Sequence, residues 1–136
     1  MAQDRFNSPE HVASEYRDSS NLNARVQLHN RFSTNHYGWG RWVFDQFHLK
    51  SQSKILELGC GGGGLWRGNL NRIPEKCNIL LTDFSEGMLQ DARQNLAGER
   101  IFDFRKVDAN NVPLPFTDAF FDTVIANHML YYVSDR

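Results

Sequence analysis

Five of the six residues from Gly59 to Gly64 are glycine, and they stand between the apolar run Ile55-Leu56-Glu57-Leu58 and a helix-compatible stretch carrying Leu65, Trp66, Leu70 and Ile73. A merely flexible turn is a poor account of such a run, because glycine loses more backbone freedom on folding than any other residue. Glycines here let the chain turn sharply and approach a ligand without Cβ interference. The free N–H groups at the following helix start favour a carboxylate or phosphate. In open parallel sheets, ligands collect at this position beyond the carboxyl end of a strand. A strand, a glycine turn and a helix in this order therefore predict an α/β fold with a ligand at the turn.

The rest of the chain repeats the alternation. Ile79-Leu80-Leu81-Thr82 reads as a second strand. Met88, Leu89, Ala92 and Leu96 mark a helix with Ser85 as N-cap and Gly98 just past its end. Residues 101–107 make a third strand. A proline-containing loop, Val112-Pro113-Leu114-Pro115-Phe116, leads to a fourth, Thr123-Val124-Ile125-Ala126. Short apolar strands alternating with helices signal a parallel sheet with right-handed crossovers. Pro74 is expected to end the helix that begins after the glycines.

Upstream, residues 1–20 are polar and read as a tail, partly disordered. Leu22, Val26 and Leu28 begin a helix capped by Ser19 or Ser20, and residues 33–38 interrupt it as a loop. Trp39, Trp42, Val43 and Phe47 recur on one face of a second helix, and aromatics at that spacing are more often core than site. The expected organisation is a tail over 1–20, amino-terminal helices over 21–50 and the ligand-binding domain over 51–136.

Bulk properties narrow the function classes. The formal net charge is −1 and the charges are intermixed, so no basic stripe points to nucleic acid or to a membrane surface. No apolar run approaches the roughly 20 residues of a membrane span, and residues 1–20 lack the apolar stretch of a signal peptide. Cys60 and Cys77 match no metal-ligand spacing and suit a reducing, cytoplasmic setting. No metal is expected.

Gly59, Gly61 and Gly64 satisfy G-x-G-x-x-G with an acid further on, and that pattern alone leaves a dinucleotide and other adenosine-bearing ligands open. Residues downstream add more. Glu57 makes Glu-x-Gly-x-Gly-x-Gly, and Asp83-Phe84-Ser85-Glu86-Gly87-Met88-Leu89 follows the second strand. Asp108-Ala109, Leu114-Pro115-Phe116 and Phe120-Phe121-Asp122 come next, then Asn127-His128-Met129-Leu130. Together, in this order, they resemble the motifs of class I S-adenosylmethionine-dependent methyltransferases. Arg31-Phe32-Ser33-Thr34 and the segment from Gly38 to Asp45 also resemble a bacterial subgroup of that family.

The resemblance implies a Rossmann-like, three-layer α/β/α fold with strands in the order 3-2-1-4. The family's sheet has seven strands, so the chain is expected to carry the amino-terminal, cofactor-binding part without the carboxyl-terminal strands. It implies S-adenosyl-L-methionine as cofactor and an unidentified methyl acceptor, a small molecule rather than a macromolecule. Asp83 would take the ribose hydroxyls, Asp108 and Ala109 the adenine, and Gly59 to Gly61 the amino-acid end. Glu57 would orient the loop or reach the methionine amino group through water; alternatively its carboxylate bonds the N–H groups of the glycine turn. Phe84 and Met88 either pack the adenine face or fill core. Cys60 adjoins the ligand by location as a small loop residue. Asn127 would offer its backbone to the methionine portion. His128 is a weak candidate for a general base, since a lone histidine is more often structural. Tyr37, Trp39 and Arg41 are candidates for a lid over the cofactor. Tyr131 and Tyr132 read as a helix start.

Two other function classes stay open at this level: a nicotinamide-type dinucleotide-binding oxidoreductase domain, and a non-catalytic cofactor-binding module. With strands in the order 3-2-1-4, the fourth becomes an unprotected apolar edge, for which a symmetric homodimer is the expected remedy.

Overall fold

Strands β1 (Lys54–Leu58), β2 (Asn78–Asp83), β3 (Phe102–Lys106) and β4 (Thr123–Ile125) form one parallel sheet in the order β3-β2-β1-β4. The structure is a computed structural model that describes residues 8–134; residues 1–7 of the expected tail, and Asp135 and Arg136, lie outside the described residues. The helices are α1 (Pro9–Glu15), α2 (Ser20–Phe32), α3 (Trp39–Asp45), α4 (Gly64–Arg67) and α5 (Glu86–Asn95). The expected α/β class and strand order are both present.

Strand register sorts the side chains by face. Ile55, Ile79 and Phe102 lie in one row, and Glu57, Leu81 and Phe104 in the next. This face packs with Trp66 of α4, Leu89, Ala92 and Leu96 of α5 and its C-cap, and Phe44 of α3, forming the main core. Each fully buried aliphatic side chain there contributes about 1.5–3 kcal/mol. Two successive right-handed crossovers in the same direction place α4 and α5 on the same face. The return crossover from β3 to β4 serves the opposite face, where Leu56 pairs with Leu80 and Val124. That crossover holds no helix: the loop over 107–122 lies there, with Pro113, Phe116 and Phe121 beside Leu56 and Val124.

Several local expectations are corrected. Residues 9–15 of the expected tail form a helix, because Ser8 caps it by accepting from the His11 N–H at 3.3 Å and Pro9 pre-sets the first turn. The helix expected to reach Ile73 stops at Arg67, and a 3₁₀ turn over Leu70–Arg72 follows. Gly68, a poor helix former, sits at the break. The second amino-terminal helix buries Val43 and Phe44, not its tryptophans: Trp39 and Trp42 are about half exposed, at 49% and 54%. Helix α2 buries none of its residues, and Val26 and Leu28 face outward. Tyr131 and Tyr132 lie in a 3₁₀ turn, Leu130–Tyr132, and Val133 after it is extended. The fourth strand is shorter than expected and ends at Ile125.

The segment between α1 and α2 runs as a strap over the carboxyl ends of the strands. The Ser85 hydroxyl donates to the Arg17 carbonyl at 3.1 Å, and the Ser19 N–H donates to the Asp91 carboxylate at 2.9 Å. A Cβ on Gly87 would collide with the Arg17 carbonyl oxygen, so glycine there is a condition of the strap's docking. Ser19 and Leu22 touch the glycine turn itself, at the positions where side chains on Gly62 and Gly61 would stand.

Candidate functional site

The carboxyl ends of all four strands meet along one rim, and the site is built from the turns that leave them. After β1 the chain reverses through Gly59, Gly61 and Gly63, with φ of 69°, 55° and 74°. These are left-handed conformations that side chains rarely adopt. A Cβ on Gly59 would stand 2.9 Å from the Cβ of Met129, so this glycine lets the turn after β4 close onto the turn after β1. Cys60, buried beside them, donates its backbone N–H to the Thr82 carbonyl at 2.9 Å. Burial pushes its thiol well above the ordinary range, which keeps it protonated and unreactive.

Asp83, the last residue of β2, is 8% exposed. One carboxylate oxygen accepts from the Gly61 N–H at 3.0 Å and the other from the Ser85 N–H at 2.9 Å. The carboxylate keeps acceptor capacity beyond its backbone donors, which a ribose hydroxyl can use. Burial raises its pKa, and the backbone donors at Ser85, Gly61 and Phe84 oppose that rise. The structure thus joins Gly61 and Asp83, twenty-two positions apart, in one cradle.

Glu57 is buried at 3% exposure and accepts a hydrogen bond from the Trp66 indole N–H at 2.6 Å. Desolvation pushes its pKa up to about 7, with the indole pulling the other way and Asp83 adding to the rise. The expected bond from its carboxylate to the glycine N–H groups is replaced by the indole. Its backbone carbonyl accepts from the Thr82 hydroxyl at 2.7 Å, which locks β1 to β2 at the turn.

Asp108 is exposed, and its carboxylate accepts from the Asn110 N–H at 2.9 Å, an Asx-turn that shapes the loop beyond β3. Ala109 is half-buried beside it. Met88 is buried at 1% exposure, with Phe84 half-buried. Asn127, just past β4, carries the one buried side-chain nitrogen without a partner among the described residues. A buried amide left unpaired costs about 1–3 kcal/mol, a cost that a ligand acceptor would remove.

His128 sits at φ 52°, and its ring stacks against Trp39 with centroids 4.8 Å apart. That contact brings α3 over the end of β4. Tyr37 turns the other way and donates to the Asp45 carboxylate at 2.6 Å, with Arg41 over its ring. The glycine turn, Asp83, Glu57 and the turn holding Asn127 through Met129 are thus brought together. Asp108 and Ala109 stand on the same rim, while Tyr37 is tied to its own helix.

Residues 55–136 match the family described as Methyltransferase domain, a span covering more than half of the chain. The chain belongs to this methyltransferase family. It is 29% identical over 102 residues to the ubiquinone/menaquinone biosynthesis C-methyltransferase UbiE of Legionella pneumophila, covering 74% of this chain and 41% of that protein. An S-adenosylmethionine-dependent methyltransferase of Mesorhizobium loti superposes with a TM-score of 0.56 at 27% identity, over 72% of this chain and 43% of that one. A methyltransferase of Haloferax volcanii, solved in complex with its Trm112 activator, superposes with a TM-score of 0.67 at 21% identity, over 88% and 50% of the two chains. The stretch of this chain that matches therefore spans about two fifths of that curated relative's length.

Three parts of this methyltransferase site were not read from sequence. Trp66 reads only as part of a helical pattern, and nothing in its spacing marks it as the partner of Glu57. The strap runs from Arg17 and Ser19, in the expected tail, to Leu22, expected only as the start of a helix. Its signal was Gly87, a glycine inside the first turn of a helix, which often marks a close backbone approach. Asn110 was passed over, yet its amide donates to the Tyr132 carbonyl at 3.2 Å and its Oδ1 accepts from the Ser134 N–H at 2.9 Å.

Proposed function

We propose that this chain is the cofactor-binding part of an S-adenosylmethionine-dependent methyltransferase that acts on a small molecule. Asp83 takes the ribose hydroxyls, Asp108 and the Ala109 N–H hold the adenine, and Gly59 to Gly61 with Asn127 hold the amino-acid end. The observation that carries this reading is the pairing of Asp83 with Gly61 at the joint carboxyl ends of β1 and β2. It leaves a buried carboxylate with acceptor capacity at the place where a ribose follows a glycine turn. The Asn127 amide gives the same rim a donor that has no partner among the described residues.

Bound there, the cofactor supplies a methyl group on a positively charged sulfur. Asp83, Asp108, the Ala109 N–H, Gly59 to Gly61 and Asn127 would hold it, and it would supply an electrophilic methyl group whose transfer leaves a neutral thioether. The residues of this chain orient the donor and exclude water, which is the larger part of what such a transfer needs from a protein. Trp39 and the strap form the cover, and His128 positions Trp39. Buried, unpaired Cys60 and Cys77 suit a reducing cytoplasm. No helix among the described residues is long and apolar enough to cross a membrane.

Calorimetric titration with S-adenosylhomocysteine and, separately, with NAD tests this reading. S-adenosylhomocysteine should bind and NAD should not. Preference for NAD would make the chain a dinucleotide-binding domain.

A further inference from the structure

Strands β3 and β4 are the two outer strands of the sheet, so the turns that leave them start on opposite sides of the rim. Three strand spacings separate them, roughly 14 Å. One turn carries Asp108 and Ala109, and the other carries Asn127 through Met129. The Asn110 side chain closes the gap between their continuations. Its carboxamide donates to the Tyr132 carbonyl at 3.2 Å and accepts from the Ser134 N–H at 2.9 Å.

The fit is that of a peptide unit. Val133 stands between the two bonded groups with an extended backbone, φ −86° and ψ 123°. Extended backbone turns the carbonyl before a residue and the N–H after it to the same side. A neighbouring strand would meet them with one donor and one acceptor, and a carboxamide carries the same pair. Aspartate at this position would lack the donor, and alanine would lack both.

Each end of the bridge is tied to a group that our reading places on the cofactor. The Asn110 N–H donates to the Asp108 carboxylate at 2.9 Å, and the Asn111 N–H to the Asp108 carbonyl at 3.1 Å. Asn110 and Asp108 therefore move together. On the other arm the Tyr132 N–H donates to the Met129 carbonyl at 2.9 Å, and Met129 is the residue packed on Gly59. The bridge is exposed, so water competes for both of its bonds. It can open without unfolding the sheet, and a ligand that orders either arm favours the closed form.

We propose that Asn110 is a positioning residue that couples the two ends of the cofactor pocket. Adenosine held at Asp108 and Ala109 orders the turn around Met129, and the amino-acid end orders the adenine turn in return, because such coupling is reciprocal. The bridge thus adds affinity for a ligand that spans both arms and little for one that fills a single arm. The proposal rests on the reading of the rim as an S-adenosylmethionine site and deepens it.

Two ligands of different reach test it on the full chain: S-adenosylhomocysteine, which spans both arms, and adenosine, which reaches only the first. Asn110→Ala keeps the backbone N–H that Asp108 uses and removes the bridge. It should weaken S-adenosylhomocysteine by about fivefold or more and leave adenosine within about twofold. In NMR spectra of the unaltered chain, adenosine should shift the Met129 methyl signal and slow exchange at the Ser134 amide. Both responses should vanish in Asn110→Ala while the Ala109 amide still shifts. Ser134→Pro breaks the bridge from the far arm, and Val133 already has the extended backbone that a following proline needs. It should cost the same S-adenosylhomocysteine affinity, and the double variant no more. Equal weakening of both ligands in Asn110→Ala would confine Asn110 to shaping the adenine turn and overturn the coupling. Unchanged S-adenosylhomocysteine affinity in either variant overturns it too, as does adenosine that fails to bind or leaves Met129 unmoved. Failure of S-adenosylhomocysteine to bind the unaltered chain overturns the cofactor reading itself, and the coupling with it.

Discussion

The indole N–H of Trp66 donates to the buried carboxylate of Glu57 at 2.6 Å, linking the strand before the glycine turn to the helix after it. Glu57 thereby acts on the turn from beneath. The folded chain holds the Glu57 proton up to about pH 7, whereas the unfolded chain releases it near the ordinary value of 4.5. The folded state therefore binds more protons across that window, and stability falls as pH rises through it, by at most about 3 kcal/mol. Asp83, also raised by burial, adds loss of the same sign beginning at lower pH. Glu57→Gln keeps an acceptor for the indole and should flatten the profile between pH 4.5 and 7. Urea unfolding at a series of pH values checks this, and an equally steep decline in the variant would remove Glu57 as its source.

At Asp83 the expected effect is on binding. Asp83→Ala removes the carboxylate that meets the ribose in our reading and should weaken S-adenosylhomocysteine by about 1.5–3 kcal/mol, one to two decades. It also strands the Gly61 and Ser85 N–H groups, so circular dichroism must first show the variant folded. An unchanged dissociation constant in a folded variant would take Asp83 out of the site.

Gly87 offers a test of the strap alone. Gly87→Ala places a methyl against the Arg17 carbonyl, while alanine favours the helix by about 1 kcal/mol. The strap should lift and the core should stay. Hydrogen exchange at the Ser19 amide, which is bonded to Asp91, should then speed up, and S-adenosylhomocysteine should leave about tenfold faster. Unaltered Ser19 protection would mean that the strap tolerates the methyl by a local shift.

We further propose that β4 pairs antiparallel with its own copy in a symmetric dimer. The strand is hydrogen-bonded to β1 on one side only, and Val124 is 58% exposed. Light scattering at micromolar concentration should report a dimer, and Val124→Lys should return a monomer. A monomeric unaltered chain would end the proposal.

Three of the four strands were legible because each is a short apolar run bounded by turn residues, with Ser85 and the glycine turn marking where helices begin, while their order was an expectation carried by the resemblance to the methyltransferase family. The site's backbone could be placed for the same reason: Gly61 and Asp83 each stand at a strand end, and the sheet brings strand ends together. What periodicity could not show was partnership across the chain. Trp39 and Trp42 carry the spacing of a core face, yet Val43 and Phe44 are the residues that α3 turns inward. Residues 9–20 read as tail because their attachment runs through backbone carbonyls, side-chain hydroxyls and a missing Cβ, none of which leaves an apolar pattern. Glu57 was read toward the glycines, since its neighbour in sequence is Gly59 and its neighbour in space is an indole nine residues on.

The helix-free loop over 107–122 runs from Asp108 to the start of β4, whose far end leads to Asn127. Lengthening such a connection is cheap, about 0.6 kcal/mol for each doubling. The two ends it joins are pinned, by the Asx-turn at Asp108 and by Met129 against Gly59. A longer or reshaped stretch here would therefore change what lies beneath the sheet and leave the rim formed by Gly61 and Asp83 in place.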